Sequence, residues 1–479
     1  MVGEVFKSHD HIFSQRPALI SNKTLTYNFL DVAFSPHNGE YWKEMRRLLF
    51  QELLNAKTVK SFRSIREAEV DRMISTIRSS PPSHPIDLKE ILITLTNNVL
   101  CTAAFGRSYL EGSAREKAKL LAMISEGMYL LSRFFVEDFL PWMWWIDVAS
   151  GLYAKLEKIF VELDEFYERV IQEHLHPQRQ KEEHEDFVDI LLRDHEDSRL
   201  SRGHTKGVMM ELRSGAPRPI EIHRNVSLSE FRSVPHFPLA SPTSLSHLPR
   251  LSCKRQLPTV PSFQLNVHIP GIHNILFGAT DTTAAALAWG MAELVRNQQA
   301  MKKCQEEVRR IIGTKKGKVD EDDLPQLEYL KAVVKESFRL RPPVPLSIPR
   351  ECTRQCKIDG YDVLPATILI VNTWAIGRDP EAWDKPHEFL PERFLNSCPI
   401  HYKGQDFELL PFGTGRRGCP GIHFSAATIE LALANLLYHF DWELPPAAAG
   451  MGKESMGMDE SSGLVTLPKS IILVPTNHK

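Results

Sequence analysis

The sequence is poor in cysteine and has no marked excess of charge of either sign. Its 479 residues include seven scattered cysteines, an odd number that excludes a disulfide-stapled scaffold and suits a reducing compartment. The formal net charge is −2, which argues against a nucleic acid as the partner. Cys352 and Cys356 are four residues apart, but no second cysteine or histidine pair completes a zinc site, so we expect unpaired thiols there.

Long hydrophobic runs are also missing. The opening stretch MVGEVFKSHDHIFSQRP has no apolar core of a signal peptide and no spanning helix. The most apolar run, FLPWMWWI at 139–146, is too short to cross a bilayer. It fits either a buried core or channel wall, or a membrane interface, where tryptophans collect. We favour the core or channel wall, because aromatic residues dominate protein interiors.

Helical periodicity, in contrast, is abundant. Short runs of β-branched residues near 357–374 and the segment IILVP near the end add a minor sheet. The sequence predicts a mainly α fold with a minor β region, in a single domain spanning 1–479. The segments with apolar residues at helical spacing are 57–80, 115–134, 149–175, 274–341, which stops at Pro342 and Pro343, and 424–440.

Residues 211–273 interrupt this pattern. They hold nine prolines and nine serines and keep neither a helical nor an alternating period, a composition typical of a disordered linker. The flanks HTKGVMM and NILFGATDTT would join into one continuous helix if the segment were deleted. We therefore predict a disordered insertion within a helix, with a retained intron as the hypothesis for its origin.

The stretch PFGTGRRGCPG at 411–421 places one cysteine on a tightly turning loop before an apolar helix. Glycines allow the backbone to turn and to approach a flat ligand closely. Nearby cations and the positive end of the helix stabilise a thiolate at Cys419. An ordinary Gly/Pro loop is the alternative, but the pattern FxxGxRxCxG fixes five positions and rarely occurs by chance. A haem held by an axial cysteine explains all these features.

The loop resembles the haem-binding signature of the cytochrome P-450 superfamily, and several segments look most like plant microsomal members. The resemblance implies haem b with Cys419 as its axial thiolate ligand and only metal ligand. It further implies that Phe412 packs against the macrocycle and that Arg417 pairs with an acidic edge group of the haem. Gly415 and Gly421 then let the backbone approach the cofactor.

Other motifs follow the family pattern in the expected order. Glu336 and Arg339 match its ExxR helix, and Arg393 lies in the matching PERF segment. In the family these three residues would form a buried ion-pair cluster that fixes the cysteine loop. A solvated surface pair is the alternative for the ExxR motif taken by itself, because Glu and Arg three residues apart share one helical face.

The segment GATDTT at 278–283 resembles the family's oxygen-activation motif on a long central helix. Gly278 and Ala279 would leave room beside the haem. Asp281 and Thr282 would form the acid–alcohol pair that delivers protons, and are the predicted catalytic residues. A buried, threonine-rich helix is the alternative reading of this segment.

Three further residues match positions that bind the haem propionates in the family. Trp42 and Arg46 fit a WxxxR helix, and Arg350 lies in the matching segment IPRE. Cationic side chains at several points are what a dianionic haem edge requires.

The resemblance implies a monooxygenase of plant secondary metabolism that inserts one oxygen atom from O2 into a small hydrophobic organic substrate. Plant relatives oxidise terpenoids, phenylpropanoids, alkaloids and fatty-acid derivatives, and the sequence does not choose among these classes.

Electrons would come from NADPH through NADPH-cytochrome P-450 reductase, whose acidic surface would dock on the basic face near Cys419. By the same resemblance, the protein would sit at the cytosolic face of the endoplasmic reticulum membrane. This chain is expected to lack the family's anchor helix and first segment. Segments around 110–140, the helix before Asp281, and Val344–Ile348 would select the substrate.

Two other functions remain open at this point. A haem-thiolate isomerase or dehydratase would need no reductase, but such relatives typically lack the acid–alcohol pair, so Asp281 and Thr282 favour the monooxygenase. A catalytically inactive or misfolded product of a mis-spliced gene would follow if the insertion at 211–273 broke the central helix.

Overall fold

The structure is a computed structural model. It describes residues 2–36, 39–81, 84–109, 114–179, 185–196, 272–396, 398–445, 459–461 and 463–478. The predicted insertion at 211–273 lies outside the described residues as far as 271, and so does the flank HTKGVMM. The described residues belong to one compact unit.

Helices dominate this unit, as the periodicity of the sequence predicts. A wide helical turn at Glu4–Ser8 precedes them, and a second, Leu49–Leu53, extends the helix Glu40–Leu48. The helices are α1 (Ile20–Leu25), α2 (Glu40–Leu48), α3 (Ala56–Ser61), α4 (Arg63–Ser79), α5 (Leu88–Phe105), α6 (Ala114–Ser132), α7 (Val136–Phe139), α8 (Trp144–Ala149), α9 (Leu152–Leu175), α10 (Phe187–Glu196), α11 (Ile272–Arg296), α12 (Gln298–Lys316), α13 (Glu328–Leu340), α14 (Thr373–Ile376) and α15 (Ile422–His439).

The long helix α11 runs through the core. Its residues from Ala284 to Val295 are buried on every face, as expected for a helix that is apolar all round. It packs against α5 and α15, and the Oγ1 atom of Thr283 lies 3.0 Å from the Oγ atom of Ser425 on α15. The helix that follows the cysteine loop is thereby joined to the central helix.

Two helix boundaries have different causes, tertiary packing in one case and a proline in the other. The single helix predicted over 57–80 is interrupted at Phe62, which separates α3 from α4. Phe62 is buried and packs edge-on against Phe187 with ring centroids 5.1 Å apart, so tertiary packing overrides the local periodicity. The helix α13 ends at Leu340, shortly before Pro342, as the proline predicts.

Within the described ranges, the minor β region consists of three small antiparallel sheets. Strands β1 (Ile86–Asp87), β7 (Ile472–Asn477) and β6 (Phe440–Glu443) form one sheet, with Ile86 opposite Leu473. The other two sheets pair β2 (Arg350–Glu351) with β5 (Ile368–Leu369), and β3 (Cys356–Ile358) with β4 (Tyr361–Val363). The expected mainly α fold with a minor β region is confirmed.

The prediction that FLPWMWWI lies in the core or a channel wall is wrong. Trp142 and Trp145 have 70% and 56% of their surface exposed, and Phe139 has 53%. Two short helices joined by a tight turn form this region, so no single face can bury all the rings. We call the exposed set the aromatic surface; it consists of Phe134, Phe139, Leu140, Trp142, Trp144 and Trp145.

The acidic residues around the aromatic surface are turned inward. Asp138 accepts hydrogen bonds from the backbone N–H groups of Ile20 and Phe135, at 2.9 and 3.1 Å. Asp147 is buried and accepts from the N–H groups of Val136 and Glu137, at 3.0 and 2.9 Å. The carboxylates therefore hold the backbone in place and leave the outer side to the rings. Among the described helices, none is both long and apolar enough to cross a membrane.

Candidate functional site

The cysteine loop is shaped by two glycines and closed by its own backbone. Gly413 and Gly415 have φ angles of 66° and 67°, a region that glycine enters without strain. The N–H group of Cys419 donates to the carbonyl of Phe412 at 2.9 Å, and that of Gly418 donates to Gly415 at 3.0 Å. The loop thus presents Cys419 just before α15 begins at Ile422.

The sulfur of Cys419 receives a hydrogen bond from the N–H group of Gly421 at 3.3 Å. Its side chain is accessible to solvent, yet protein atoms surround it closely enough for burial to raise the pKa of the thiol. The Gly421 amide and the cation of Arg46 act in the opposite direction and lower that pKa. The sulfur is thus accessible to a ligand although protein atoms lie close around it, as an axial ligand requires.

Phe412 packs within an aromatic cluster below the loop. Its ring lies edge-on to Phe338 of α13, with centroids 5.2 Å apart, and its centroid is 5.6 Å from that of Tyr402. The phenylalanine that opens the signature thus rests on the helix that carries the ExxR motif.

The predicted oxygen-activation segment lies on α11. The hydroxyl of Thr282 donates to the carbonyl of Gly278 at 2.6 Å. A bond from threonine to the carbonyl four residues earlier often bends a helix locally. Gly278 is exposed, Ala279 is partly exposed, and a Cβ atom built on Gly278 would meet no atom within 4 Å. Open space therefore adjoins this face of an otherwise buried helix.

Asp281 has a strongly altered acidity. Burial raises the pKa of its carboxyl group to about 6, because removal from water disfavours the charged form. A carboxyl group with this pKa exchanges protons near neutral pH, which suits general acid–base chemistry. The neighbouring Thr282 offers a hydroxyl for the same purpose.

The ExxR helix and the PERF segment meet in one buried cluster. Arg339 donates to Glu336 through Nε and Nη2, both at 2.7 Å, and Nε of Arg393 donates to Oε1 of Glu336 at 3.1 Å. The side chains of Glu336 and Arg339 are completely buried. The surface ion pair considered as an alternative for this motif does not apply here.

Arg339 also fixes the segment that leads to PERF. Its Nη1 atom donates to the carbonyls of Gly377 and Pro386, at 2.5 and 2.7 Å, and Nη2 donates to Glu388 at 2.9 Å. A Cβ atom on Gly377 would come within 2.1 Å of the carbonyl oxygen of Arg339. Only glycine permits this approach, so the cluster organises the backbone as well as the charges.

The guanidinium of Arg417 is occupied by hydrogen bonds to the protein itself. It is buried, with Nε donating to Ser14 at 2.8 Å, Nη1 to Val32 at 2.9 Å and Nη2 to Ser35, all through backbone carbonyls. Its guanidinium lies over the ring of Trp42, 4.7 Å from the centroid. The role of Arg417 in this structure is to tie the N-terminal segment to the cysteine loop, and its pairing with a haem edge stays a prediction.

The other residues expected at the propionates also have protein partners. Trp42 donates its indole N–H to the carbonyl of Val32 at 3.0 Å, and Arg46 donates to Gly418 at 3.1 Å. Arg350 is buried and donates to the carbonyl of Thr414 at 3.0 Å. The structure brings Arg46, Arg350 and Arg417 to the same side of the cysteine loop.

Asp10 completes this side and was missed by the sequence analysis. It accepts from Nη1 of Arg350 at 3.2 Å and from the backbone N–H of Arg416 at 3.2 Å. Nothing in the motif FxxGxRxCxG points to an acid some 400 residues earlier in the chain, because only the fold brings the two together.

The charges of this cluster fit a dianionic haem edge. The cations are Arg16, Arg46, Arg350, Arg416 and Arg417, and the acids that act on them are Asp10 and Asp31. Burial together with the repulsion from Arg350 and Arg46 lowers the pKa of Arg417 to about 9, although Asp31 acts in the opposite direction. An anion at this edge would relieve the repulsion. The excess of positive charge in this cluster therefore fits haem carboxylates.

A cavity of about 290 Å³ adjoins Asp281. Ser461 and the stretch from Gly463 to Val465 supply part of its wall, and sequence analysis did not assign these residues to the substrate. Segment Val344–Ile348, expected to select the substrate, does not line this cavity. The residues that do are Ser125, Glu126, Met128, Tyr129, Lys155, Asp281, Ser461, Gly463, Leu464, Val465 and Leu467.

A second cluster of His174, Asp186 and Asp189 has the side chains of a metal site. Arg179, however, donates to Asp186 at 2.6 Å and to Asp189 at 2.5 Å. Its guanidinium takes the place of a cation between the two carboxylates, so this cluster is an ion-pair network that joins α9 to α10.

Comparisons with known proteins agree with this geometry. A family model described as "Cytochrome P450" matches residues 1–217 and 270–474. The chain is 40% identical over 477 residues to cytochrome P450 71A9 of Glycine max, a match that covers 98% of this chain and 81% of that protein. It is 39% identical over 475 residues to strychnine-11-hydroxylase of Strychnos nux-vomica, covering 98% and 79%.

The solved structure of a zebra fish cytochrome P450 with progesterone has the same fold. The TM-score is 0.70 at 21% identity, and the match covers 100% of this chain and 92% of that one. The chain belongs to the cytochrome P450 family. It is a monooxygenase that uses haem with a thiolate ligand and receives electrons from a redox partner. The internal residues that the family model leaves unmatched, 218–269, fall within the predicted insertion at 211–273.

Proposed function

We propose that this monooxygenase holds its haem through Cys419 and delivers protons through Asp281 and Thr282 to the reaction that oxidises a small organic substrate. The observation that carries the proposal is the hydrogen bond from the Gly421 amide to the sulfur of Cys419. Amide donors directed at a sulfur stabilise its thiolate form. The haem, when bound, supplies the activation of O2.

The residues of the chain then have separate tasks. Phe412 and the turn at Gly415 hold the loop that presents Cys419, and the cluster around Glu336 fixes the PERF segment. The carboxyl group of Asp281 holds a proton near neutral pH. The hydroxyl of Thr282 relays protons from that carboxyl group into the open space beside Gly278 on α11. Gly278 and Ala279 leave room at this face of α11.

The substrate is proposed to enter the cavity beside Asp281. A volume of about 290 Å³ suits a small molecule. The relatives strychnine-11-hydroxylase and 6,7,8-trihydroxycoumarin synthase bear names of plant secondary metabolism, which supports a substrate of that kind. The acid–alcohol pair disfavours the isomerase or dehydratase, and the buried ion-pair cluster disfavours an inactive product.

The redox partner is proposed to be NADPH-cytochrome P-450 reductase, and the site of action the cytosolic face of the endoplasmic reticulum membrane. The aromatic surface supports contact with a bilayer, since tryptophan and phenylalanine collect at lipid interfaces. The carboxylates of Asp138 and Asp147 are bonded to backbone N–H groups, which reduces the repulsion of anionic lipid at this surface. Reduction by NADPH with the reductase, compared with a ferredoxin system, tests the partner.

The role of Thr282 is tested by Thr282→Ala. Product formed per NADPH consumed is expected to fall by about tenfold or more, with hydrogen peroxide rising in step, because proton delivery contributes on the order of 10²-fold or more. Thr280→Ala is the matched control, since its hydroxyl makes the same kind of bond to Leu276 on a buried face of the same helix. Equal coupling in the two variants would remove Thr282 from the mechanism.

A further inference from the structure

Asp10 is the acidic side chain that joins the N-terminal segment to the cysteine loop. We propose that Asp10 is a positioning residue that holds Arg350 and the turn at 414–416 in the arrangement that keeps Cys419 directed at the haem iron. The proposal rests on the role of Cys419 proposed above. Asp10 itself touches neither the sulfur nor any group expected to react.

The geometry of Asp10 connects two separate parts of the chain. One carboxylate oxygen, Oδ1, accepts from Nη1 of Arg350 at 3.2 Å. The other, Oδ2, accepts from the backbone N–H of Arg416 at 3.2 Å and from its Nη1 atom at 3.3 Å. Arg350 in turn donates to the carbonyl of Thr414 at 3.0 Å. One carboxylate thus fixes the turn from both ends.

Gly415 shows how closely Asp10 lies against the loop. A Cβ atom on Gly415 would come within 2.4 Å of Oδ1 and 2.8 Å of Cγ of Asp10. The φ angle of Gly415 is 67°, a conformation that other residues rarely adopt. The carboxylate and the glycine therefore fit each other, and the turn could not come so near to the acid with any side chain at 415.

Charge explains why this contact matters for the sulfur. Arg350 and Arg416 lie in a cluster rich in arginine, and Asp10 is the carboxylate that they share. Its loss removes the carboxylate bonded to Arg350 and Arg416, while the other acid of the cluster, Asp31, acts on Arg16 and Arg417. Repulsion among the arginines would then push the turn outward. The N–H group of Cys419 is bonded to Phe412 across the same turn. Displacement of the turn therefore moves the cysteine.

The test uses Asp10→Asn, which keeps the shape and removes the charge, and Asp10→Ala. Glu4→Gln is the matched control, because Glu4 is an acid of the same N-terminal segment that accepts from the Asp359 N–H instead of the loop. The haem-loaded protein is reduced under carbon monoxide, and the Soret band reports whether the thiolate ligand is kept. All variants are compared at the same interval below their own melting temperatures, which removes general loss of stability from the comparison.

Thiolate ligation is expected to be lost about tenfold faster in Asp10→Asn than in the unaltered chain, because breaking a charge-assisted contact in this cluster costs on the order of tenfold. The loss is expected to be faster still in Asp10→Ala. Glu4→Gln is expected to behave as the unaltered chain does. Equal rates in Asp10→Asn and Glu4→Gln would overturn the proposal.

A second readout does not depend on the haem. In the haem-free protein, alkylation of Cys419, followed by mass spectrometry, is expected to be severalfold faster in Asp10→Asn than in Glu4→Gln, because the loop opens. The unaltered chain could give no thiolate Soret band while Cys419 is still alkylated faster in Asp10→Asn than in Glu4→Gln. That result would contradict the proposed function but support the positioning role of Asp10. An unchanged alkylation rate would contradict the positioning role whatever the haem does.

Discussion

Arg339 and Glu336 form a two-pronged ion pair, with Nε–Oε2 and Nη2–Oε1 distances of 2.7 Å, and neither side chain is exposed to solvent. A buried charge is stable only while it has its partner. Because Arg393 and three backbone carbonyls complete the cluster, the pair organises the segments between α13 and the cysteine loop.

Glu336→Gln is expected to lower the free energy of unfolding by about 3–5 kcal/mol, because it leaves Arg339 as a buried cation without its counter-charge. The matched control is Asp362→Asn, which removes one partner of the exposed pair with Lys357 at 3.8 Å and is expected to cost less than about 1 kcal/mol. Urea unfolding measures both. Similar losses in the two variants would refute the buried cluster.

Asp281→Asn is expected to change the pH dependence of stability. Because the pKa of Asp281 is raised to about 6 in the folded protein, the folded state binds the proton more tightly than the unfolded state. The free energy of unfolding therefore falls as pH rises between about 4 and 6. The variant loses this contribution. The free energy of unfolding of the variant minus that of the unaltered chain is therefore expected to be larger at pH 7.5 than at pH 4.5, by on the order of 1–3 kcal/mol. The exposed-site variant Asp362→Asn is expected to show no such pH-dependent gain.

Cys419→Ser is expected to abolish the Soret band of the reduced carbon monoxide complex that marks a thiolate ligand, because a serine hydroxyl stays protonated at neutral pH. The control is Cys356→Ser, which alters a cysteine in β3 and is expected to leave the band unchanged. Absorbance spectra of equal amounts of haem-loaded protein provide the measurement. A thiolate band that survived in Cys419→Ser would assign the ligand to another cysteine.

The double variant Trp142→Ser/Trp145→Ser is expected to reduce binding to vesicles of phosphatidylcholine with phosphatidylserine by about tenfold or more, because it removes two large apolar side chains from the interface. The control Trp374→Ser changes another exposed tryptophan, 43% accessible, outside the aromatic surface. Co-sedimentation measures the bound fraction. If both variants bound vesicles alike, the aromatic surface would not be the lipid contact.

Local signals allowed much of the fold to be predicted. The periodicity over 115–134 and 424–440 corresponds to α6 and α15 within two residues, since long amphipathic or buried helices leave a clear pattern. The break at Phe62 was not predictable, because the packing of Phe187 against it comes from a distant segment.

Some residues of the candidate site could be predicted from local sequence, and others could not. Cys419 and its loop were predictable because glycine, arginine and cysteine stand close together in the sequence. Asp10 and the carbonyl partners of Arg417 were not, since the residues in contact are about 400 positions apart. The exposure of the aromatic surface was also missed, because its apolar composition is the same whether the rings meet protein, water or lipid.

The hydrogen bonds from Arg417 to the N-terminal segment have a consequence for synthesis of the protein. Ser14 leaves the ribosome 403 residues before its partner, which takes roughly 20–80 s at about 5–20 residues per second. During that interval the early segment does not yet have the cysteine loop to bind. The haem pocket is therefore closed as a late event, when the two ends of the chain meet.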